Sequence, residues 1–386
     1  MVVRTAYIIA ARRTALGRIG GLHRSRRVEE LAAPVIASAL KDAGVPADRV
    51  DQIIVGNCAA GSNPARLIAL TAGLPETVPA ITVDQQCGSG LEAILTAIRC
   101  IGTAEADVIV AGGAESLSTA PWRIAKPKSL YQTPHFIGIE PLAGSDGYEQ
   151  RPFEASERLA RKLNITRPQQ DAFALKSHLK AAAAREARRF VGEIVPLRSE
   201  PEEARDQSAV EPDLAELEQM LPFLSSEGTL TRGNTSALHD GAAMVVVVSE
   251  TVWNELGKPP ALRLVASAAQ GVASDEEALA PAAAMQKLYT RLNGIDRGAI
   301  RVVELSETSA AQAIAVADAI GVTESRISPD GGAIARGHPL GAAGAVLAVR
   351  LFSRMVRDNG RDGAQYGAAV LGAIGGLGLA ALFERT

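Results

Sequence analysis

Aromatic side chains make up only 4% of this 386-residue sequence, and it has just three cysteines, Cys58, Cys87 and Cys100. So odd and sparse a set cannot build a disulfide framework, and no CxxC pair offers zinc ligands. An excess of one charge is missing too. Lys and Arg number 40 against 43 Asp and Glu, a net charge of −3. That balance argues against nucleic acid or an anionic membrane as the main partner. No uncharged apolar run reaches the roughly 18 residues of a membrane span. The nearest, residues 368–383, is interrupted by glycines. The apolar run within the opening MVVRTAYIIAARRTALG is too short for a signal peptide, so a cytoplasmic location is expected. No GxGxxG opens a helix, and no metal, flavin or nicotinamide site is expected.

What the chain does have is small residues. There are 36 glycines and long alanine tracts, with 47% hydrophobic residues against 22% charged. This excludes general disorder. At roughly 150 residues per domain, the length implies two or three units, or one intimate pair. A core of Ala, Gly, Val and Leu lets helices lie very close to sheets and to one another. Such a chain reads as an α/β protein with buried helices.

Uninterrupted apolar strands are predicted at residues 6–10, 52–56, 80–83 and 107–111, alternating with helices at 28–41, 64–71 and 89–101. Runs of this kind indicate a mostly parallel sheet covered on both faces. From about residue 118 to 240 the strand rhythm stops and polar residues rise, with a helix predicted within 168–190. This stretch reads as an inserted loop or cap region carrying binding surface. The rhythm returns with a strand at 242–248 and restarts after the GKPP break. Strands at 262–268 and 301–305 alternate with helices at 276–288, 310–319 and 340–355, and a glycine-rich turn joins two last strands at 366–371 and 378–383. Both halves run strand–helix around a small-residue helix. The expected architecture is a duplicated αβαβα, with an N-terminal domain at 1–250 that includes the insertion and a C-terminal domain at 258–386.

The sharpest local feature is Asp84-Gln85-Gln86-Cys87-Gly88-Ser89-Gly90, between a strand and a helix. At a helix start, unpaired N–H groups and the helix dipole favour a thiolate. Cys87 therefore reads either as a nucleophile or as a buried cysteine capping a sheet–helix junction. Cys58 and Cys100 read as structural. A nucleophile needs a base and an oxyanion site. Among the histidines, His338 stands out in GGAIARGHPLGAAG, where a glycine precedes it and Pro339 suits an early helical position. His239, before a core strand, either shapes the pocket or makes a structural hydrogen bond.

Taken together, GNCAAGSNPARLIALTAGLPETVPAITVDQQCGSGLEAI, AGGAESLSTAP, GTLTRGNTSALHDGAAMVVVVSE and GGAIARGHPLGAAGA resemble, in order and over essentially the whole chain, the thiolase family. The resemblance implies the five-layer thiolase fold and acyl transfer from coenzyme A, in Claisen condensation or thiolysis. It makes Cys87 the acyl carrier and His338 its activating base and part of an oxyanion site. The Cys87 N–H, with N–H groups at Gly376 and Gly378, is expected to form a second oxyanion hole. Ser118, Phe153 and His239 are expected around the substrate or CoA pocket. No permanently bound cofactor is implied, since the CoA thioester is a substrate. A homodimer or homotetramer is expected, with an accessory protein as a further partner.

The chain departs from the family in four places. Ser306-Glu307-Thr308-Ser309 stands where the family has Asn-Glu-Ala-Phe, so Ser306 replaces the asparagine that holds a catalytic water. Gly372 stands where the family has a second cysteine that shuttles the α-proton, and Glu307 is expected to substitute. Residues 151–157, at the pocket mouth, lack the usual Met-Gly segment, and 217–223 lacks an arginine for the adenine end of CoA. Lys126, Lys128, Arg185, Arg188 and Arg189 could serve a phosphate or simply form a solvated face. Loss of the proton shuttle keeps two alternatives open: a decarboxylative ketosynthase-like enzyme using a malonyl thioester, and a non-catalytic assembly subunit. The acyl donor is acyl-CoA or a carrier-protein thioester.

Overall fold

The computed structural model describes residues 4–127, 129–134, 136, 152–198, 200–208, 212–358 and 363–386. Its strands are β1 (Ala6–Arg13), β2 (Gly17–Arg18), β3 (Gln52–Gly56), β4 (Ala80–Val83), β5 (Val108–Glu115), β6 (His239–Ser249), β7 (Leu262–Gly271), β8 (Ile300–Leu305), β9 (Tyr366–Ala373) and β10 (Leu377–Arg385). The α-helices are α1 (Val28–Ala43), α2 (Pro64–Thr71), α3 (Ser89–Gly102), α4 (Pro152–Leu163), α5 (Arg167–Glu186), α6 (Leu214–Gln219), α7 (Glu250–Glu255), α8 (Ala280–Tyr289), α9 (Ala310–Ile320), α10 (Ala333–Arg336) and α11 (Ala343–Phe352).

Strand order is β4-β3-β5-β6-β1-β7-β10-β9-β8, with β2 paired to β6. The order repeats about its middle. β3 and β5 are parallel and β5 and β6 antiparallel, as are β8 with β9 and β9 with β10 respectively. The halves join through only two register pairs of β1 and β7, Tyr7 with Arg263 and Ile8 with Leu262. This is the duplicated architecture expected from the sequence, but the sheet is not mostly parallel: only β3–β4, β3–β5 and β8–β9 pair in parallel, and the other named pairs are antiparallel.

Because side chains alternate across a strand, each half-sheet buries both faces. Ala243, Val245 and Val247 of β6 join the inner cluster with α3 and α11. Ala242, Met244, Val246 and Val248 join an outer cluster with α1 and α2. In β10, Leu379, Ala381 and Phe383 pack inward, while Ala380 and Leu382 pack with α8 and α9. Five layers result, with α3 and α11 at the centre.

Glycine makes that centre possible. A Cβ at Gly344 would lie 2.7 Å from both Cβ and N of Leu91, and one at Gly90 only 2.8 Å from the Gly341 carbonyl oxygen. The small-residue composition is thus explained by two helices in backbone contact.

Local chemistry explains the element ends. Thr166 and Gln169 form a capping box for α5, so that helix starts at Arg167 and ends at Glu186 rather than running to 190. The helix expected at 276–288 is a 3-10 segment, Ser274–Leu279, followed by α8, whose first turn carries Pro281. The one expected at 340–355 is likewise divided into a 3-10 turn, α11 and a π segment at Ser353–Arg357. The inserted region contains α4, α5 and α6: α4 packs on α9 and the 3-10 segment before α8, α5 on α9 and α10, and α6 on α5. Its buried charges are tied to the centre. Arg13 bonds Glu193 at 2.5 Å and Asp206 at 2.6 Å, and Arg350 bonds Glu193 and, at 2.5 Å, Asp330.

Candidate active site

Cys87 and His338 occupy equivalent places in the two halves, each just before a central helix, α3 or α11. Both line one cavity of about 210 Å³.

The turn that carries Cys87 is held by Ser89. Its hydroxyl accepts the Gln85 N–H at 2.8 Å and donates to the Gln86 carbonyl at 2.5 Å. Gln86 takes φ +52°, an uncommon conformation for a side-chain-bearing residue. Cys58 donates to the same Gln86 carbonyl at 3.1 Å, so this thiol braces the turn from behind. Cys87 itself is buried. Burial pushes its thiol up to about 12, although the Ile374 N–H favours the thiolate. The thiolate expected from the helix dipole is therefore not the resting form. Desolvation outweighs the helix end.

His338 follows Gly337, at φ +108°, where a Cβ would come within 2.4 Å of the His239 ring. The His338 N–H donates to Ala237 O at 2.9 Å, and its carbonyl accepts the His239 N–H at 3.0 Å. Burial, with a smaller effect from His239, lowers the imidazole to about 4. At neutral pH the imidazole is uncharged and the thiol that shares its cavity is protonated. Ser306 Oγ lies 3.3 Å from His338 Nδ1, which leaves Nε2 as the ring atom for proton transfer.

Other expected residues take different places. Phe153, at the start of α4, lies on the cavity wall and packs edge-on to Phe223 at 5.4 Å. His239 does not line the cavity. It sits behind Gly337, with Nδ1 2.8 Å from Ala237 O and Nε2 2.7 Å from Ser208 Oγ. Ser118 is also elsewhere, bonded through its hydroxyl to Asp240 and accepting the Gly20 N–H at 2.8 Å.

Glu307 is withdrawn from the cavity as well. Its carboxylate accepts the Ser177 hydroxyl at 2.8 Å and lies against Gly332, where any Cβ would collide with it. A substitute proton shuttle at Glu307 would have to act through that packing, because residues 331–334 lie against it. The N–H groups expected of Gly376 and Gly378 are committed too. Glu277 receives hydrogen bonds from Gly375, at 3.2 Å, and from Gly376. Gly378 lies within the β9–β10–β7 ladder, paired with Gly372 and Gln270. The N–H that addresses Cys87 comes instead from Ile374. Among the candidate phosphate-binding cations, Arg189 is consumed by Asp330, and Lys128 lies outside the described residues.

Three participants were not legible in the sequence. Glu277 and Gln312 line the same cavity as Cys87. Gln312 Nε2 lies 3.6 Å from where a Cβ at Gly372 would be. Glu115, closing β5, accepts N–H groups of Cys58 at 3.0 Å and Gly341 at 3.1 Å, and so joins the loops behind both Cys87 and His338. Only Glu115 had a signal, a lone acid ending an apolar strand.

Two family models match: the thiolase N-terminal domain over residues 6–251 and the thiolase C-terminal domain over 258–385. The chain is 37% identical to a beta-ketoadipyl-CoA thiolase of Pseudomonas putida, covering 99% of this chain and 100% of that protein. It is 36% identical to an acetyl-CoA acetyltransferase of Cupriavidus necator, over 98% of each. The crystal structure of the Bacillus anthracis acetyl-CoA acetyltransferase superposes with a TM-score of 0.92 at 30% identity, over 100% of both chains.

Proposed function

The chain belongs to the thiolase family, and from that premise we propose that Cys87 and His338 carry out its acyl transfer. It is an enzyme, a thiolase-type acyltransferase of CoA thioesters. The observation that supports the two residues is their shared cavity, reached from equivalent positions in the two halves.

Cys87 Sγ attacks the acyl-CoA carbonyl as His338 Nε2 takes its proton. The C–S bond to CoA then breaks, and the departing sulfur receives that proton. A thiol near 12 and an imidazole near 4 do not exchange a proton at rest. Transfer has to accompany formation of the new C–S bond, which is general-base catalysis. The Ile374 N–H, bonded to the sulfur, stabilises negative charge on Cys87 as the proton leaves. In the second half-reaction the α-carbon of another acyl-CoA gives up a proton to a base and attacks the Cys87 thioester, releasing the Cys87 thiolate. The reverse reaction is thiolysis of a 3-ketoacyl-CoA.

The same reading divides the chain at about 250–258 and makes it a homo-oligomer. Supporting the latter, edge strand β4 exposes Ile81 and neighbouring α2 exposes Leu67 and Leu70. Gly372, which has no side chain to move a proton, favours one second reading, condensation driven by decarboxylation of a malonyl thioester. Among the described residues, no helix is long and apolar enough to cross a membrane.

Intact mass after exposure to acetyl-CoA and, in parallel, malonyl-CoA tests the assignment. An acetyl adduct absent from Cys87→Ala is expected. A folded protein that forms no adduct with any of a broad set of acyl thioesters overturns it.

A further inference from the structure

Condensation requires a base for the α-carbon of the second acyl unit, a weak carbon acid. Among the described residues lining the cavity, the titratable side chains are Cys87, Glu277 and His338. Cys87 carries the acyl group at that stage, so its sulfur cannot take a proton. His338, free again once the CoA sulfur has left with its proton, is lowered to about 4 and is a weak base for a carbon acid.

Glu277 is differently placed. It belongs to the 3-10 segment before α8 and is buried. The Gly375 N–H holds its Oε1 at 3.2 Å, and Gly376 adds a second donor. One residue earlier in this turn, the Ile374 N–H addresses Cys87. Consecutive backbone donors thus orient the carboxylate and the nucleophile toward one space. Opposite, Gly372 lines the same cavity without a side chain, and a Cβ there would meet Pro281 at 3.2 Å and Gln312 Nε2 at 3.6 Å. Burial raises the Glu277 pKa from 4.5, which makes the carboxylate a stronger base than one in water.

We propose that Glu277 is the catalytic base that exchanges the α-proton in condensation and thiolysis. This inference rests on the acyl-Cys87 reading above. The carboxylate removes a proton from the α-carbon of acyl-CoA. The C–H bond breaks, an O–H bond forms on Glu277, and the electron pair moves onto the thioester oxygen as an enolate. The enolate carbon then attacks the Cys87 thioester, forming the C–C bond and expelling the Cys87 thiolate. The proton on Glu277 passes back to that sulfur, which restores both groups. Thiolysis runs the same transfers in reverse, with Glu277 protonating the departing α-carbon.

The test separates acylation from carbon-acid chemistry. Wild type and Glu277→Gln are given acetyl-CoA in D2O, and Cys87 acetylation and deuterium entering the acetyl methyl group are both measured by mass. Glu277→Gln is expected to acetylate Cys87 within about twofold of wild type. Its deuterium exchange and condensation should fall about 100-fold or more, as for loss of a general base. Adding Gly372→Cys to Glu277→Gln should recover part of the exchange, since a thiol then borders the same space. Wild-type exchange in Glu277→Gln overturns the inference and leaves acylation by Cys87 standing. A parallel fall in acylation and exchange also overturns it, because Glu277 then only holds the 374–376 turn. Condensation by wild type from malonyl-CoA alone, without methyl exchange, overturns it in favour of decarboxylation. Absence of any Cys87 adduct in wild type is the separate failure of the acylation reading, and the inference falls with it.

Discussion

The carboxylate of Glu115 accepts the Gly341 N–H at 3.1 Å, a link between residues 226 apart in sequence. Asn57 Nδ2, at 2.9 Å, and the Cys58 N–H, at 3.0 Å, reach the same carboxylate. It therefore fastens the loop after β3 to the turn that follows His338. Removing it orphans buried donors, a penalty of about 1–3 kcal/mol for each unsatisfied group. Glu115→Ala should lose roughly 3 kcal/mol in denaturant unfolding and also acylate Cys87 more slowly, whereas a purely stabilising role would leave the acylation rate of the folded fraction unchanged.

The rate of Cys87 acylation should show no inflection near pH 6.5, the ordinary imidazole value. Burial holds His338 near 4, so above that pH it is already the neutral base. Protonation inactivates it only as the pH falls through about 4, while Cys87 stays a thiol up to about 12. Adduct formation followed from pH 5 to 9 should be nearly flat. His338→Ala should reduce it about 100-fold or more.

Acid should unfold the protein through its buried arginine network. Burial alone would raise Glu193, but Arg350 and Arg13 overcome that and hold it near 2. Asp330 is likewise near 2, with burial outweighed by Arg350, Arg354 and Arg189. Both folded pKa values lie below the reference values of 4.5 and 3.8. Their stabilisation is therefore complete above those references and disappears as the pH falls toward 2. Urea midpoints measured from pH 5 down to 2 should drop steeply, and Glu193→Gln should flatten that drop while lowering the plateau.

Gly344→Val should be among the most damaging single changes in the core. Its Cβ would fall within 2.7 Å of Leu91 backbone and side chain, which neither helix can yield without moving. Overpacking of this kind costs about 1–3 kcal/mol. Thermal unfolding should show the loss, and a change at an exposed helix position, Ala183→Val, should not.

The outline of the fold was legible because its signals are local. Residues 52–56, 64–71 and 80–83 are bounded by turns or begin at proline, and their elements start and stop as read. Cys87 and His338 stood out because each lies in a glycine-rich turn before a helix. What escaped depends on packing between distant segments. Glu277 reaches the cavity only because a 3-10 turn docks on residues 374–376. His239 and Glu307 sit beside the right motifs, yet their side chains turn to the far side, toward Ser208 and Ser177. Helix α4 was missed although Phe153, Ala155, Leu159, Ala160 and Leu163 form an apolar stripe, because charged residues interleave it and the polar composition of the stretch reads as loop.

The two halves share only two strand register pairs, yet one supplies Cys87 and the other His338. On the roles proposed for Cys87 and His338, turnover is a coincidence detector for assembly: neither half, however well folded, holds both the sulfur and the imidazole. A chain whose halves had formed but not yet closed on each other would retain secondary structure and be catalytically silent. Recovery of activity during refolding should therefore lag the recovery of helix signal, and the lag would time the final closure.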